Sequence, residues 1–277
     1  MFGKSTNHNG SVAGFRTGRS SAAAALMVIL CGGLAVAQPP KSLTVVNAGS
    51  GGLVIAPDSI ASALGRGIGA STESAHSVPL PTTLSGVSVE MTDSLKALVL
   101  DPLLYVAPNQ INFYVPNTVA IGTATVKILN ADSTPPSVTV QVANVAPGLF
   151  TANGAGTGVA AAIAIRRLIG TQANTAVPVY HCDANGCSST PLDLAEDAQV
   201  FLELYGTGIR RRSSLANVTA TIGGVSTQVL FAGPQGQFPG LDQVNVVLPQ
   251  NLQKHGEQDL VLTVDGHLAN TVRLNVK

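Results

Sequence analysis

Tryptophan is absent from this chain, and aromatic residues make up only 4% of it. That excludes the indole platforms on which many sugar-binding surfaces rest, and the four Tyr are few to replace them. Charge is also scarce: 11% of residues are charged, against roughly 25% in ordinary soluble domains. The 15 basic and 15 acidic residues balance, and Arg210-Arg211-Arg212 is the only basic run, so the basic patch that nucleic acid requires is missing. Beyond residue 37 no stretch shows convincing helical periodicity. None there is apolar enough to span a bilayer. Gly-x-Ser-x-Gly, which would place a serine nucleophile, does not occur.

Residues 1–37 read as a secretory signal peptide. Lys4, Arg16 and Arg19 precede an apolar run from Ala22 to Ala37, and Ala35-Val36-Ala37 offers small residues at −3 and −1. The expected mature chain begins at Gln38. Cys31 follows Leu30 rather than a small residue, which argues against a lipid anchor. Removing the signal takes three basic residues and no acid, leaving 12 against 15, a net charge of −3. The expected location is therefore secreted or extracytoplasmic.

What the chain does contain is turn residues and alternation. Gly and Pro number 29 and 16. Short period-2 or β-branched runs recur between turns: Leu43 to Val46, Val87 to Met91, Gln110 to Val115, Thr123 to Ile128 and Val138 to Val142. A second set follows at Val200 to Tyr205, Val218 to Ile222, Gln228 to Phe231, Gln243 to Leu248, Asp259 to Val264 and Thr271 to Val276. Ser59 to Leu64 allows a helical turn, but its counterpart Gln199 to Tyr205 reads as a strand.

The two sets are copies. Residues 103–116, LLYVAPNQINFYVP, answer residues 229–249, VLFAGPQGQFPGLDQVNVVLP, with seven residues inserted after the first proline. Gln110, Asn112 and Pro116 correspond to Gln243, Asn245 and Pro249, each 133 residues on. Upstream, Gly67-Ile68 lines up with Gly208-Ile209. The fold expected is all-β: two tandem immunoglobulin-like antiparallel β-sandwiches, over 41–147 and 148–277. The second opens with a long hairpin and a cysteine loop.

Leu103 to Pro116, then Gly122-Thr-Ala-Thr-Val126, then Val145-Ala-Pro-Gly-Leu-Phe150, resembles the uncharacterised "Solibacter C-terminal domain" family of exported bacterial proteins. The resemblance covers most of 43–277 and implies immunoglobulin-like repeats of the IPT/TIG type. It implies no activity and no functional residues. The chain departs from the family in lacking a large N-terminal module. Ala56-Pro57-Asp58 also stands where the family shows Pro-Gly, which predicts a less regular first domain.

Several residues invite chemistry. Cys182 and Cys187, in His-Cys-Asp-Ala-Asn-Gly-Cys, read as a disulfide closed over Asn185-Gly186. A zinc site would want a second ligand pair, and none exists. Alternation puts Gln110, Asn112 and Tyr114 on one strand face and Ile111, Phe113 and Val115 on the other. Gln243 and Asn245 repeat the arrangement. The amides read as structural, bonding loop backbones at the sandwich corner; the rival is a sugar-binding strip. Gly154-Ala-Gly156-Thr-Gly158 has the wrong spacing for a dinucleotide loop. Asp193, Glu196 and Asp197 read as a solvated turn, with a calcium site left open. Asn217-Val218-Thr219 matches a glycosylation sequon inside an expected strand. No catalytic group, cofactor or metal is expected. The expected role is structural or adhesive, toward an unknown protein or cell-surface glycan. The alternatives are a carbohydrate-binding module and a hydrolase with an inter-domain site.

Overall fold

The computed structural model describes residues 42–131, 135–194 and 196–277. The expected signal peptide, Cys31, the expected mature start at Gln38 and the expected turn at Thr134 lie outside them. Ten strands form the first half: β1 (Leu43–Asn47), β2 (Val54–Ile55), β3 (Ile60–Gly65), β4 (Glu73–Ser74), β5 (Ser88–Thr92), β6 (Leu98–Asp101), β7 (Leu103–Ala107), β8 (Gln110–Tyr114), β9 (Gly122–Leu129) and β10 (Ser137–Val142). They build one sheet in the order β1-β3-β8-β7-β4 and a second in the order β2-β10-β9-β5-β6.

The second half contains β11 (Gly148–Leu149), β12 (Ala162–Leu168), β13 (Asn174–Pro178), β14 (Tyr180–Asp183), β15 (Gly186–Ser189), β16 (Pro191–Leu192) and β17 (Ala198–Thr207). It continues with β18 (Val218–Ile222), β19 (Val225–Thr227), β20 (Val229–Pro234), β21 (Asp242–Val247), β22 (Gly256–Val264), β23 (His267–Leu268) and β24 (Val272–Val276). One sheet runs β13-β12-β17-β21-β20 and its partner β16-β24-β22-β18-β19. Pairing is antiparallel except where β2 and β16 join β10 and β24 in parallel. These are two immunoglobulin-like sandwiches.

Alternation decides which face each strand buries. Ile111, Phe113 and Val115 are fully buried in one core, and Val244, Val246 and Leu248 in the other. The first core gathers Leu43 to Val142 and the second Val145 to Val276. The copies agree in register. Ser62 pairs with Asn112 as Glu203 pairs with Asn245, and β7 and β20 are irregular at matching points, Leu103/Tyr105 and Val229/Phe231. Ser59 to Leu64, readable as a helical turn, fall in β3 from Ile60 onward, because pairing on both sides overrides local preference.

The corner at Ala56-Pro57-Asp58, where a less regular chain was expected, is formed and bonded to β8. Asp58 adopts φ 63°, the left-handed conformation a glycine would supply, and Asp tolerates it. Its carboxylate accepts from the Tyr114 hydroxyl at 2.6 Å. Burial and that carboxylate push the Tyr114 phenol up to about 12.

A buried, polar junction joins the sandwiches. The Thr207 hydroxyl accepts from the Ile60 amide at 2.7 Å and donates to the Gly240 carbonyl at 2.8 Å. Asn47 donates to the Ala146 carbonyl at 2.7 Å, and the Ala146 amide donates to the Gly208 carbonyl. Gly208, at φ 73°, has no room for a side chain: a Cβ there would lie 2.1 Å from the Ala146 oxygen. The seven-residue insertion belongs to this junction. Gly240, at its end, lies so close to Ser59 and Ile60 that an added Cβ would come within 2.6 Å of the Ile60 side chain. The residues that lengthen the second copy thus hold the first.

Candidate functional site on the outer face of the second sandwich

Strand pairing lays out the outward residues of β13-β12-β17-β21-β20 in rows. One row reads Pro178, Ile163, Glu203, Asn245, Phe231. The next holds Tyr205, Gln243 and Gly233. A third holds Ala176, Ile165, Phe201 and Val247. Ile163, Tyr180 and Phe231 are 36%, 37% and 38% exposed, so no described residue covers this face. The outer face of the partner sheet is polar by contrast, with Thr219, Thr221, Thr263, Glu257, Asp259 and Arg273.

The Gln–Asn strip of each copy is internally bonded. Gln243 donates to the Asn245 side-chain oxygen at 2.8 Å, and Gln110 to that of Asn112 at 2.9 Å. This corrects the expectation that the amides bind loop backbones: both oxygens face outward along a strand and are taken by a neighbouring side chain. The copies then diverge. In the first, the Ser62 hydroxyl donates to Asn112 at 2.8 Å, and Ser62 is nearly buried. There the strip borders a groove of about 230 Å³ roofed by Gly154, Ala155 and Gly156 of the second sandwich. In the second, Glu203 replaces Ser62 and has no hydrogen-bond or ionic partner among the described residues. Tyr205 stands beside it. Burial pushes the Tyr205 phenol up, with the charge of the Glu203 carboxylate and of the Tyr180 phenolate adding to it.

Gly233 shapes the other flank. The far end of the Phe231 ring lies across it: a Cβ on Gly233 would sit 3.2 to 3.8 Å from three ring atoms. The first copy has Ala107 at that place, opposite Gln110. A glycine in a strand commonly marks such a close approach.

The remaining sequence candidates fall elsewhere. Pro116 and Pro249 each open a turn, their carbonyls accepting from Val119 and Leu252 at 3.2 Å. Val119 and Leu252, three residues on, are buried, so the prolines are structural corners. Cys182 and Cys187 are bonded to each other across the two-stranded ribbon β14–β15. The ribbon turns at Ala184 and Asn185, one residue earlier than Asn185-Gly186, and the expected hairpin and cysteine loop are β12–β13 and this ribbon. Gly154 to Gly158 forms the loop that roofs the inter-domain groove. Asp197 pairs with Arg166 and Asp193 with Lys277. No metal-binding cluster occurs among the described residues. Asn217 closes a 3-10 turn, Leu215–Asn217, and bonds Ser213, while Val218 and Thr219 of the sequon lie in β18 as expected.

Two features escaped the sequence. Asp242 is buried and accepts from the Ile209 and Arg210 amides while pairing with the Arg210 guanidinium at 2.6 Å. Burial raises its carboxyl above the usual range, and Arg210 opposes that. Asp101 is fully buried in the first core, with neither oxygen hydrogen-bonded.

No protein-family model and no curated protein matches the chain. Among solved structures, the crystal structure of DIP-gamma IG1+IG2 is similar at 10% identity and a TM-score of 0.23, over 86% of this chain and 96% of that one. At that score the likeness carries no argument about site or partner, and the immunoglobulin-like assignment stands on the sheet order and pairing above.

Proposed function

We propose that the chain is an exported, non-enzymatic contact protein, a rigid pair of sandwiches that presents the outer face of β13-β12-β17-β21-β20 to a component of the cell surface. The observation that carries this reading is that face itself. It sets exposed Ile163 and Phe231 around a polar centre of Glu203, Gln243 and Asn245, and such surfaces mark contact sites. The junction through Thr207, Asn47 and Gly240 supports it, because it holds the face at a fixed angle to the first sandwich. The Cys182–Cys187 bond fits an oxidising compartment. A place in the Solibacter C-terminal domain family, with its exported members, is part of the same proposal.

The test immobilises residues 42–277 and measures retention of bacterial envelope fractions, protein and polysaccharide separately. Wild type retains at least one fraction. Ile163→Asp abolishes retention, while Thr221→Asp on the opposite sheet does not. Retention of neither fraction, or retention indifferent to Ile163→Asp, removes the proposal.

A further inference from the structure

Resting on that contact reading, we infer that the face takes a neutral polysaccharide, with consecutive sugar rings lying along the row from Tyr205 across Gln243 to Phe231. Three observations converge on a hydroxyl-rich, uncharged ligand.

The first is the unfilled polar set. Gln243 spends one amide hydrogen on Asn245, which leaves the Gln243 oxygen and the Asn245 amide hydrogens without a partner among the described residues. Glu203, opposite Asn245, adds two free carboxylate oxygens. An acceptor pair beside amide donors matches neighbouring hydroxyls, each of which both donates and accepts. In the first sandwich Ser62 occupies this place and supplies Asn112 with a donor. The free Gln oxygen and Asn amide hydrogens recur in the first copy, so what is particular to the second is the added carboxylate of Glu203.

The second is the flat ring. Phe231 is 38% exposed while its far end rests over Gly233, so the ring lies along the sheet rather than standing from it. An aromatic face laid flat accepts the C–H face of a pyranose, the geometry in which aromatic residues serve carbohydrate recognition. Tyr205 lies two strands away, on β17, with β21 between. At about 4.8 Å per strand the two rings stand about 10 Å apart, the length of a disaccharide.

The third is charge. Glu203 carries the only charge at the centre of the face, with Arg167 at its margin beside Gln199. A central carboxylate repels an acidic polysaccharide. It also disfavours the two other occupants of a sheet face, a second copy of this chain and an apolar protein surface. Either would strand Glu203 and the free amide groups away from water with no partner to replace it.

The experiment is affinity electrophoresis of residues 42–277 in gels containing laminarin, hydroxyethyl cellulose, galactomannan or dextran, with analytical ultracentrifugation alongside. At least one neutral polysaccharide retards wild type. Phe231→Ala, Gln243→Ala and Glu203→Ala each weaken the retardation at least tenfold. Tyr105→Ala, at the corresponding place in the first sandwich, leaves it unchanged. Melting temperatures confirm that the variants fold. If no neutral polysaccharide retards the protein but the envelope protein fraction is retained, the ligand assignment is wrong while the contact reading stands. If neither binds, both fall. A dimer that Phe231→Ala dissociates would put a second copy on the face and overturn the assignment.

Discussion

Asp101 gives the most demanding test of the structure, because it is a carboxyl group in an apolar core with nothing to bond. It ends β6, pairs with Val89, and has no exposed surface. Both oxygens are unpartnered, and burial raises its carboxyl well above the ordinary value of 3.8. The second copy answers the same position differently. Thr227 pairs with Ala220 as Asp101 pairs with Val89, and the Thr227 hydroxyl donates to the Val247 carbonyl. Asp101→Thr imports that solution at nearly the same volume. A stranded buried polar group costs about 1–3 kcal/mol, so the variant gains stability of that order where Asp101 is protonated in both states.

The pH dependence identifies the cause. Below the unfolded value both folded and unfolded Asp101 hold their proton, and ionisation contributes nothing. As pH rises past 3.8 the unfolded chain ionises while the folded carboxyl stays protonated. Wild type therefore loses stability relative to the variant by about 1.4 kcal/mol per pH unit until the folded carboxyl also ionises. Calorimetric melting of both proteins from pH 4 to pH 8 reads this directly. The gap between their melting temperatures opens with pH. A gap that stays constant over that range would refute a buried, proton-holding Asp101.

Three further outcomes follow from the same packing. Phe113→Ala removes a fully buried ring from the first core and costs about 3–5 kcal/mol in urea unfolding; a cost below 1 would contradict its placement. Thr207→Val strands the Ile60 amide and the Gly240 carbonyl at the junction, costs about 1–3 kcal/mol, and turns one unfolding transition into two as the sandwiches uncouple. Reduction of the Cys182–Cys187 bond frees two thiols by alkylation and intact mass. Closing so short a loop contributes only about 2 kcal/mol and the ribbon is largely exposed, so the main transition moves by a few degrees at most.

Much of the architecture was legible because strand faces alternate with a period of two. Ile111, Phe113 and Val115 had to share a face, as did Val244, Val246 and Leu248, and one apolar face must be buried. The repeat made that inference twice. Asp58 shows where local reading stops: its sequence suggested an irregular turn, yet its tolerance of positive φ preserves the corner. The amides show the same limit. That Gln110 and Asn112 point outward follows from alternation, but that each strip bonds to itself depends on side chains meeting along a strand.

By itself, then, the sequence determined the strand content, the two copies, the buried faces and the pairing of Cys182 with Cys187, because these depend on periodicity, spacing and chain proximity. The tertiary structure alone decided the rest. Seven inserted residues reach back to Ile60, and Thr207 sits between the sandwiches. Glu203, Asn245 and Phe231 share an open row, while Asp101 lies unpartnered in a core. Each depends on residues brought together by sheet register across tens of positions, which no local pattern encodes.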